Sequence, residues 1–159
     1  MKVSVITISY NAAETIEETI QSVLNQAYDD IEYIIVDGGS KDKTLEIIAK
    51  YKAQIHKLVS ERDQGVYDAM NKGLALASGD LIAILNADDA YANATVIADV
   101  VSAMDKSGAD TCYGNLEYVD REDTSKVKRL WVSGPYRESA FLNGWMPPHP
   151  AFFAKAKLY

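Results

Sequence analysis

The sequence has little cysteine and no long apolar segment. Cys112 is the single cysteine, so the chain cannot form an internal disulfide, which is typical of proteins in a reducing compartment. No apolar run approaches the roughly 18–20 residues that a membrane-spanning helix needs. We therefore expect a cytoplasmic protein with no transmembrane segment in this chain.

Positive charge is also scarce. The 159 residues include 16 Lys and Arg against 23 Asp and Glu, which gives a net charge of 16 − 23 = −7. Nonspecific nucleic-acid binding needs a net basic surface that displaces counterions, so the balance argues against a nucleic-acid partner. Hydrophobic residues make up 48% of the chain and charged residues 25%, which is enough to build the core of a single domain.

Several well-known functional motifs are missing. No G-x-G-x-x-G follows the first predicted strand, so a dinucleotide-binding dehydrogenase is disfavoured. There is no G-x-x-x-x-G-K-[ST] of P-loop NTPases and no G-x-S-x-G nucleophile elbow. His56, His149 and Cys112 do not have the spacing of zinc ligands.

Predicted strands and helices alternate along most of the chain. The strands are "KVSVITIS", "IEYIIVDGG", "IHKLVSE", "DLIAILNADD" and "ADTCYGNLEYV". Amphipathic helices lie between them, including one over residues 65–77 with an apolar stripe at Val66, Met70 and Leu74. This order predicts an α/β fold with right-handed βαβ units and a mostly parallel sheet. The alternation fades after Glu117, and "GWMPPHPAFF" is predicted to be a loop because its prolines disfavour helix.

Polar side chains follow four of the predicted strands. They are Tyr10 and Asn11 after the first, Asp37 after the second, Glu61 and Asp63 after the third, and Asp88 and Asp89 after the fourth. The carboxyl ends of parallel strands meet at the edge where α/β sheets bind ligands. Carboxylates gathered there repel one another unless a cation or a proton joins them. A cluster of this kind suits Mg²⁺ or Mn²⁺ carried with a phosphorylated ligand, although each single Asp is also a common turn residue.

Four segments of the sequence resemble the family 2 glycosyltransferases, an inverting group with the GT-A fold. They are "VSVITISYNAAETIEETIQSVLNQ", "YIIVDGGSKDKT", "SERDQGVYDAMNKGLALASGD" and "LIAILNADDAY", in the family's order, and they cover most of residues 3 to 91. The late segment "PPHPAFFAK" is similar to the acceptor side of members that assemble bacterial polysaccharides. The resemblance implies a GT-A (Rossmann-like) three-layer α/β/α sandwich with a mostly parallel sheet.

The resemblance also implies roles for individual residues. Thr7, Tyr10 and Asn11 would border the nucleoside, and Asp37 would accept a hydrogen bond from the base, most often uracil. Glu61, Asp63 and Asp68 would line the donor pocket. Asn86 and Asp88 would face the ribose, Asp89 together with Asp88 would bind Mg²⁺ or Mn²⁺, and His149 would touch the donor phosphate or the acceptor.

The implied reaction transfers a sugar from a nucleotide-sugar donor, most often UDP-linked, to an acceptor hydroxyl with inversion. The acceptor would be a saccharide or a lipid-linked molecule of cell-surface polysaccharide or glycolipid synthesis, which would bring the protein to the inner face of the membrane. We expect a single domain, with residues 1–117 binding the nucleotide sugar and residues 118–159 beginning the acceptor side. The general base is expected beyond Tyr159, so this fragment by itself is expected to be inactive. The alternative is a non-catalytic nucleotide- and metal-binding α/β module, either receiver-like or a degenerate transferase.

Overall fold

A computed structural model describes residues 1–159. The strands are β1 (Val3–Ser9), β2 (Ile31–Asp37), β3 (Lys57–Ser60), β4 (Leu81–Asn86), β5 (Thr111–Tyr113), β6 (Leu116–Val119), β7 (Val127–Trp131) and β8 (Phe152–Lys155). The α-helices are α1 (Ile16–Leu24), α2 (Thr44–Lys50), α3 (Val66–Leu76) and α4 (Val96–Ser107). Short 3-10 helices cover Ala140–Asn143, His149–Ala151 and Ala156–Leu158.

Six strands form the main sheet, in the order β3-β2-β1-β4-β8-β5. Strands β1 to β4 pair in parallel, while β8 runs antiparallel to both of its neighbours, so β5 points the same way as β4. The chain winds outward from β1 to β3 and then returns to β4 on the other side of β1. This reversal places a ligand-binding crevice at the carboxyl ends of β1 and β4. Strands β6 and β7 form a separate hairpin.

Helices cover both faces of the sheet, as the alternating side chains of β1 illustrate. Val3 and Val5 pack in the core cluster that includes residues of α1, α2 and α4. Ile6 and Ile8 pack in the second cluster, with α3. Since successive side chains of a strand point to opposite faces, both faces of β1 must be apolar, which explains its Val- and Ile-rich sequence. The predicted three-layer α/β/α sandwich with a mostly parallel sheet is confirmed. None of the helices has the length and apolar character needed to cross a membrane.

Helix α3 packs most of its predicted apolar stripe against the sheet. Met70 and Leu74 pack against the second core cluster, whereas Val66 is 47% exposed. The buried side of the helix also includes Gly73. A Cβ atom built on Gly73 would lie 2.3 Å from Cγ2 of Ile6 in β1, so the helix approaches the sheet more closely than a side chain at residue 73 would allow.

Replacing Gly73 with alanine is therefore expected to destabilise the protein by about 1–3 kcal/mol through overpacking. This outweighs the gain in helix propensity, which is at most about 1 kcal/mol. Urea unfolding of Gly73→Ala, of Ile6→Ala and of the double variant tests the cause, because removing Cγ2 of Ile6 should relieve the clash. Strictly additive effects of the two substitutions would contradict a direct contact.

The largest departure from the sequence prediction lies after α4. Residues 109–119 were predicted as one strand, but they form β5 and β6, which belong to different sheets. The segment predicted as a proline-rich loop leads into β8, where Phe153 is 2% exposed between β4 and β5. Strands of three or four residues are too short to show a periodic pattern. Residues 118–159 thus contribute a strand to the interior of the main sheet.

A buried carboxylate joins the strands at the opposite, amino-terminal end of the sheet. Glu32 in β2 is 3% exposed and accepts hydrogen bonds from Ser4 Oγ (2.6 Å) and from the N–H and hydroxyl of Ser78 (2.7 and 2.8 Å). The Nζ atoms of Lys57 and Lys2 lie 3.0 and 3.3 Å from Glu32 Oε1. Burial by itself would raise the pKa of Glu32, but the hydrogen bonds outweigh it and hold that pKa well below its ordinary value of 4.5.

Candidate functional site

An open cleft of about 1750 Å³ lies at the carboxyl ends of β1, β2 and β4. Its lining residues come from the ends of three strands, the start of α3 and the β6–β7 hairpin. After the strands they are residues 8–15 (β1), Gly38, Gly39 and 41–43 (β2), and 86–88 (β4). The others are Arg62, Asp63, Gly65 and Val66 near the start of α3, and 119–121 and Thr124 of the hairpin. Small-ligand pockets commonly measure about 300–1,000 Å³. The cleft is therefore large enough for an extended ligand, and it lies where the strand order reverses.

Asp37, the last residue of β2, supports the cleft from beneath its surface. Its carboxylate is fully buried. Oδ1 accepts hydrogen bonds from the hydroxyls of Ser9 and Ser40 (3.1 and 2.5 Å), and Oδ2 accepts from the Gly39 and Ser40 N–H groups and the Ser60 hydroxyl (3.0, 2.9 and 2.8 Å). A carboxylate offers about four lone-pair positions. Asp37 therefore has no acceptor capacity left for a nucleobase, contrary to the role that the resemblance implied.

Asn11 joins the loop after β1 to the loop after β2. Its backbone adopts the left-handed conformation, with φ of 48°, which asparagine tolerates better than most residues. The Asn11 N–H donates to Ser40 Oγ (2.8 Å), and its side-chain Oδ1 accepts from the Lys41 N–H (2.9 Å). Asp42 accepts from the Thr44 N–H (3.0 Å) at the start of α2. The bonds of Asn11 join the two loops into one wall of the cleft.

Three oxygen-bearing side chains meet at the end of β4. Asn86 Nδ2 donates to Asp89 Oδ2 (3.2 Å), while the buried Asn86 Oδ1 has no hydrogen-bond partner. Asp88 is exposed in the cleft. Burial, and then the negative charge of Asp88, raise the pKa of Asp89 to about 6. The group thus has more acceptor oxygens than donors to satisfy them.

These residues fit a hard divalent cation that is bound together with a phosphorylated ligand. A cation near Asp88 and Asp89 would relieve the repulsion between the two carboxylates. No cluster of three or more His, Cys, Asp or Glu side chains suited to holding a metal is present. Mg²⁺ typically uses one or two protein carboxylates and takes its other ligands from water and substrate phosphates, so two carboxylates suffice.

The structure brings about half of the predicted site residues to the cleft. Those that line it are Tyr10, Asn11, Asp63, Asn86 and Asp88. Those that do not line it are Thr7, Asp37, Glu61, Asp68, Asp89 and His149. Asp89 lies beside the cleft through its hydrogen bond to Asn86. His149 belongs to a 3-10 helix packed near β4, and partial burial lowers the pKa of its imidazole.

The side chain of Thr7 lies too deep in β1 to line the cleft, which begins at Ile8 and Ser9. This side chain is fully buried, and its Oγ1 lies 3.1 Å from the hydroxyl of Tyr33. Thr7 was expected to border the nucleoside, partly through its backbone, but its side chain does not line the cleft.

The acids after β3 have different surroundings. Glu61 and Asp68 pair with Lys72 at 2.9 and 3.3 Å, the second pair being i,i+4 within α3. Asp63 points into the cleft, and its Oδ2 would lie only 2.4 Å from a Cβ atom built on Gly38. The missing side chain of Gly38 therefore leaves the space that this carboxylate occupies.

The hairpin residues of the cleft were not found from the sequence. Arg121, near the turn between β6 and β7, forms an ion pair with Glu14 of the loop after β1, so the hairpin reaches across the mouth of the cleft. Lys41, Lys43 and Arg62 also line it. No local pattern in the sequence marks this approach, because it joins segments more than a hundred residues apart.

A sandwich with a polar cleft at its switch point and paired carboxylates at its edge is typical of nucleotide-binding α/β proteins. The family model "Glycosyl transferase family 2" matches residues 4–156. The chain therefore belongs to glycosyl transferase family 2, as the resemblance predicted.

Individual relatives agree with this assignment. An uncharacterised glycosyltransferase of Mycobacterium tuberculosis is 41% identical over 107 residues, which covers 67% of this chain and 41% of that protein. S. aureus TarS in complex with UDP-GlcNAc superposes with a TM-score of 0.64 at 28% identity, covering 70% of this chain and 33% of that one. A mannosyltransferase of Pyrobaculum calidifontis, in complex with GDP-Man and Mn²⁺, has a TM-score of 0.69 at 23% identity over 99% and 45% of the two chains. The chain thus spans less than half the length of these relatives.

Proposed function

We propose that the cleft binds a nucleotide-sugar donor and that the protein is a metal-dependent inverting glycosyltransferase. The observation that carries this proposal is the group of Asn86, Asp88 and Asp89 at the end of β4, with its surplus of acceptor oxygens. The complexes of TarS with UDP-GlcNAc and of the Pyrobaculum mannosyltransferase with GDP-Man and Mn²⁺ support a nucleoside-diphosphate sugar as ligand and a divalent cation as cofactor.

The residues of the cleft divide naturally between the two ends of such a donor. Tyr10, 61% exposed, offers a ring face to the base, and Asp63 beside it offers acceptor oxygens. Asn86 and Asp88 face the ribose. Asp88 and Asp89 would hold Mg²⁺ or Mn²⁺, which when bound neutralises charge on the diphosphate. Arg62 and the lysines of the wall add positive charge around the phosphates.

The proposed reaction is a single displacement. The acceptor hydroxyl oxygen bonds to the anomeric carbon as the bond from that carbon to the diphosphate breaks, and a general base takes the hydroxyl proton. Attack from the face opposite the leaving group inverts the configuration. We also propose that the acceptor is a saccharide or a lipid-linked molecule of cell-surface polysaccharide or glycolipid synthesis. The transfer would take place on the cytoplasmic side of the membrane. Membership of family 2 argues against a receiver-like module.

Calorimetric titration with UDP and GDP, with and without Mn²⁺, tests the donor site. We expect binding that strengthens with Mn²⁺, and we expect Asp89→Asn to weaken the Mn²⁺-dependent part at least about tenfold, the loss of one charge-assisted interaction. Asp110→Asn is the matched control, because Asp110 pairs with Lys155 and Lys157 (2.8 and 3.0 Å) away from the cleft. The proposal would be contradicted if nucleotide affinity were the same with and without Mn²⁺, or if the two substitutions had equal effects.

A further inference from the structure

A second pocket, which shares no lining residue with the cleft, is built around Trp145. It has a volume of about 410 Å³, within the usual range of about 300–1,000 Å³ for small-ligand sites. Its lining consists of Ser133, Pro135, Arg137, Glu138, Ala140, Asn143 and Trp145. We call this the Trp145 pocket.

The rings around the Trp145 pocket are held in place. Trp145 contacts Tyr113, Tyr136 and Phe141, with ring centroids 5.5, 5.8 and 5.4 Å away. Its indole N–H donates to the Ser133 carbonyl (2.8 Å). Ordered aromatic rings of this kind form a rigid platform at little cost in conformational entropy.

The polar groups of the pocket are exposed and chemically mixed. Arg137 supplies only donors, Glu138 supplies only acceptors when ionised, and Asn143 supplies both. Asn143 Nδ2 donates to the Ser139 carbonyl (3.1 Å), which leaves its Oδ1 for a ligand. Side chains with both signs of charge next to one another disfavour a phosphate. An apolar ligand would remove water from these polar groups without replacing the hydrogen bonds that they lose.

A sugar ring meets these requirements. It presents an apolar C–H face that can stack on an indole, and its hydroxyls act as donors and acceptors at once. We propose that the Trp145 pocket is a subsite for a saccharide portion of the acceptor, an inference that rests on the glycosyltransferase function proposed above.

The position of the pocket suits an acceptor. Cys112 in β5 and Ala83 in β4 both pair with Phe153 of β8, so Tyr113 lies level with Ile84, close to the edge where β4 ends. Two strand spacings, about 10 Å in total, separate β5 from β4. A saccharide of a few rings can span this distance, with one ring on Trp145 and the reacting hydroxyl in the cleft.

Nuclear magnetic resonance of the ¹⁵N-labelled 159-residue chain tests the proposal. The protein has two tryptophans, and Trp131→Phe assigns the indole N–H signal of Trp145. The probes are methyl glycosides of glucose, galactose, mannose, rhamnose and N-acetylglucosamine, and the disaccharides maltose, cellobiose and lactose, at millimolar concentration. We expect at least one probe to shift the Trp145 signal saturably.

The matched variants are two exposed arginines. Arg137→Ala should weaken saccharide binding about tenfold, the value of one hydrogen bond from a charged group. Arg129→Ala should leave it unchanged, because Arg129 stacks on Tyr118 (5.2 Å) outside the pocket. Equal effects of the two variants, or no shift with any probe, would overturn the proposal. A Trp145 shift caused only by phosphatidylcholine vesicles or by protein concentration would overturn it in favour of a membrane or self-association surface.

The two proposals fail separately. Nucleotide binding without a saccharide response would remove the acceptor subsite and leave the donor site intact. A saccharide response without any binding of UDP or GDP would remove the proposed transferase function and leave a saccharide-binding pocket.

Discussion

Replacing Glu32 with glutamine is expected to lower the free energy of unfolding by roughly 3–5 kcal/mol, the usual cost of breaking a buried ionic network by removing one charge. The Glu32 carboxylate accepts from Ser4, from both donors of Ser78 and from Lys57. An amide keeps the shape but has a single acceptor oxygen, and its NH₂ would face these donors. A small domain has about 5–15 kcal/mol of stability in total, so the effect should be plain in urea unfolding.

The control for Glu32 is an exposed carboxylate with similar partners. Glu17 accepts from the Tyr51 hydroxyl (3.0 Å) and lies 3.4 Å from Lys50, but its side chain is 44% exposed. Glu17→Gln should cost less than about 1 kcal/mol, as exposed ion pairs do. Similar losses for the two variants would show that burial of Glu32 is unimportant.

The same network makes the free energy of unfolding depend on pH. Because the folded-state pKa of Glu32 is depressed below its ordinary value of 4.5, the unfolded chain takes up the proton first as the pH falls. The contribution of Glu32 is complete above pH 4.5 and decreases below it, towards the folded-state pKa. Unfolding titrations between pH 7 and pH 3 should therefore show a steeper decline below pH 4.5 for the natural sequence than for Glu32→Gln.

Replacing Asp37 with alanine is expected to reduce nucleotide affinity at least about tenfold, although Asp37 lies beneath the cleft surface. Its carboxylate holds the ends of β1, β2 and β3 together through the hydroxyls of Ser9, Ser40 and Ser60. Without it, five buried or half-buried donors lose their acceptor, at about 1–3 kcal/mol for each that stays unsatisfied. The loop after β2, which forms one wall of the cleft, should become mobile.

The choice of nucleotide separates positioning by Asp37 from direct contact with a base. Since Asp37 acts through the loop, affinities for UDP and GDP should fall together in Asp37→Asn and Asp37→Ala. Hydrogen exchange at the Gly39 and Ser40 amides should accelerate in both variants. A loss confined to UDP with unchanged exchange would instead identify Asp37 as a base-binding residue. Asp99→Asn, on α4 at a distance from the loop, serves as the control.

The contrast between Asp37 and Asp63 illustrates how far the sequence can lead. Both acids lie at the ends of predicted strands, so the sequence pattern predicts the same position at the ligand-binding edge for each. The Asp37 carboxylate accepts hydrogen bonds from residues up to 28 positions away in the chain. The Asp63 carboxylate instead occupies the space beside Gly38 and faces the cleft. Which acid is a structural acceptor and which is free for a ligand depends on neighbours that no local pattern reveals.

Local sequence patterns were sufficient to predict the alternation of strands and helices, the parallel arrangement of β1 to β4 and the edge where the site lies. These features follow from periodicity within segments of ten to fifteen residues and from the handedness of βαβ connections. Which side chains reach that edge depends on tertiary contacts. The tertiary structure placed Ile8 rather than Thr7 at the cleft, and it inserted β8 between β4 and β5. It also brought Arg121 across to Glu14 and gathered three aromatic rings around Trp145. The insertion of β8 and the Arg121–Glu14 ion pair join segments distant in the chain. Their stability therefore depends on packing and hydrogen bonding that exist only once the sheet has formed.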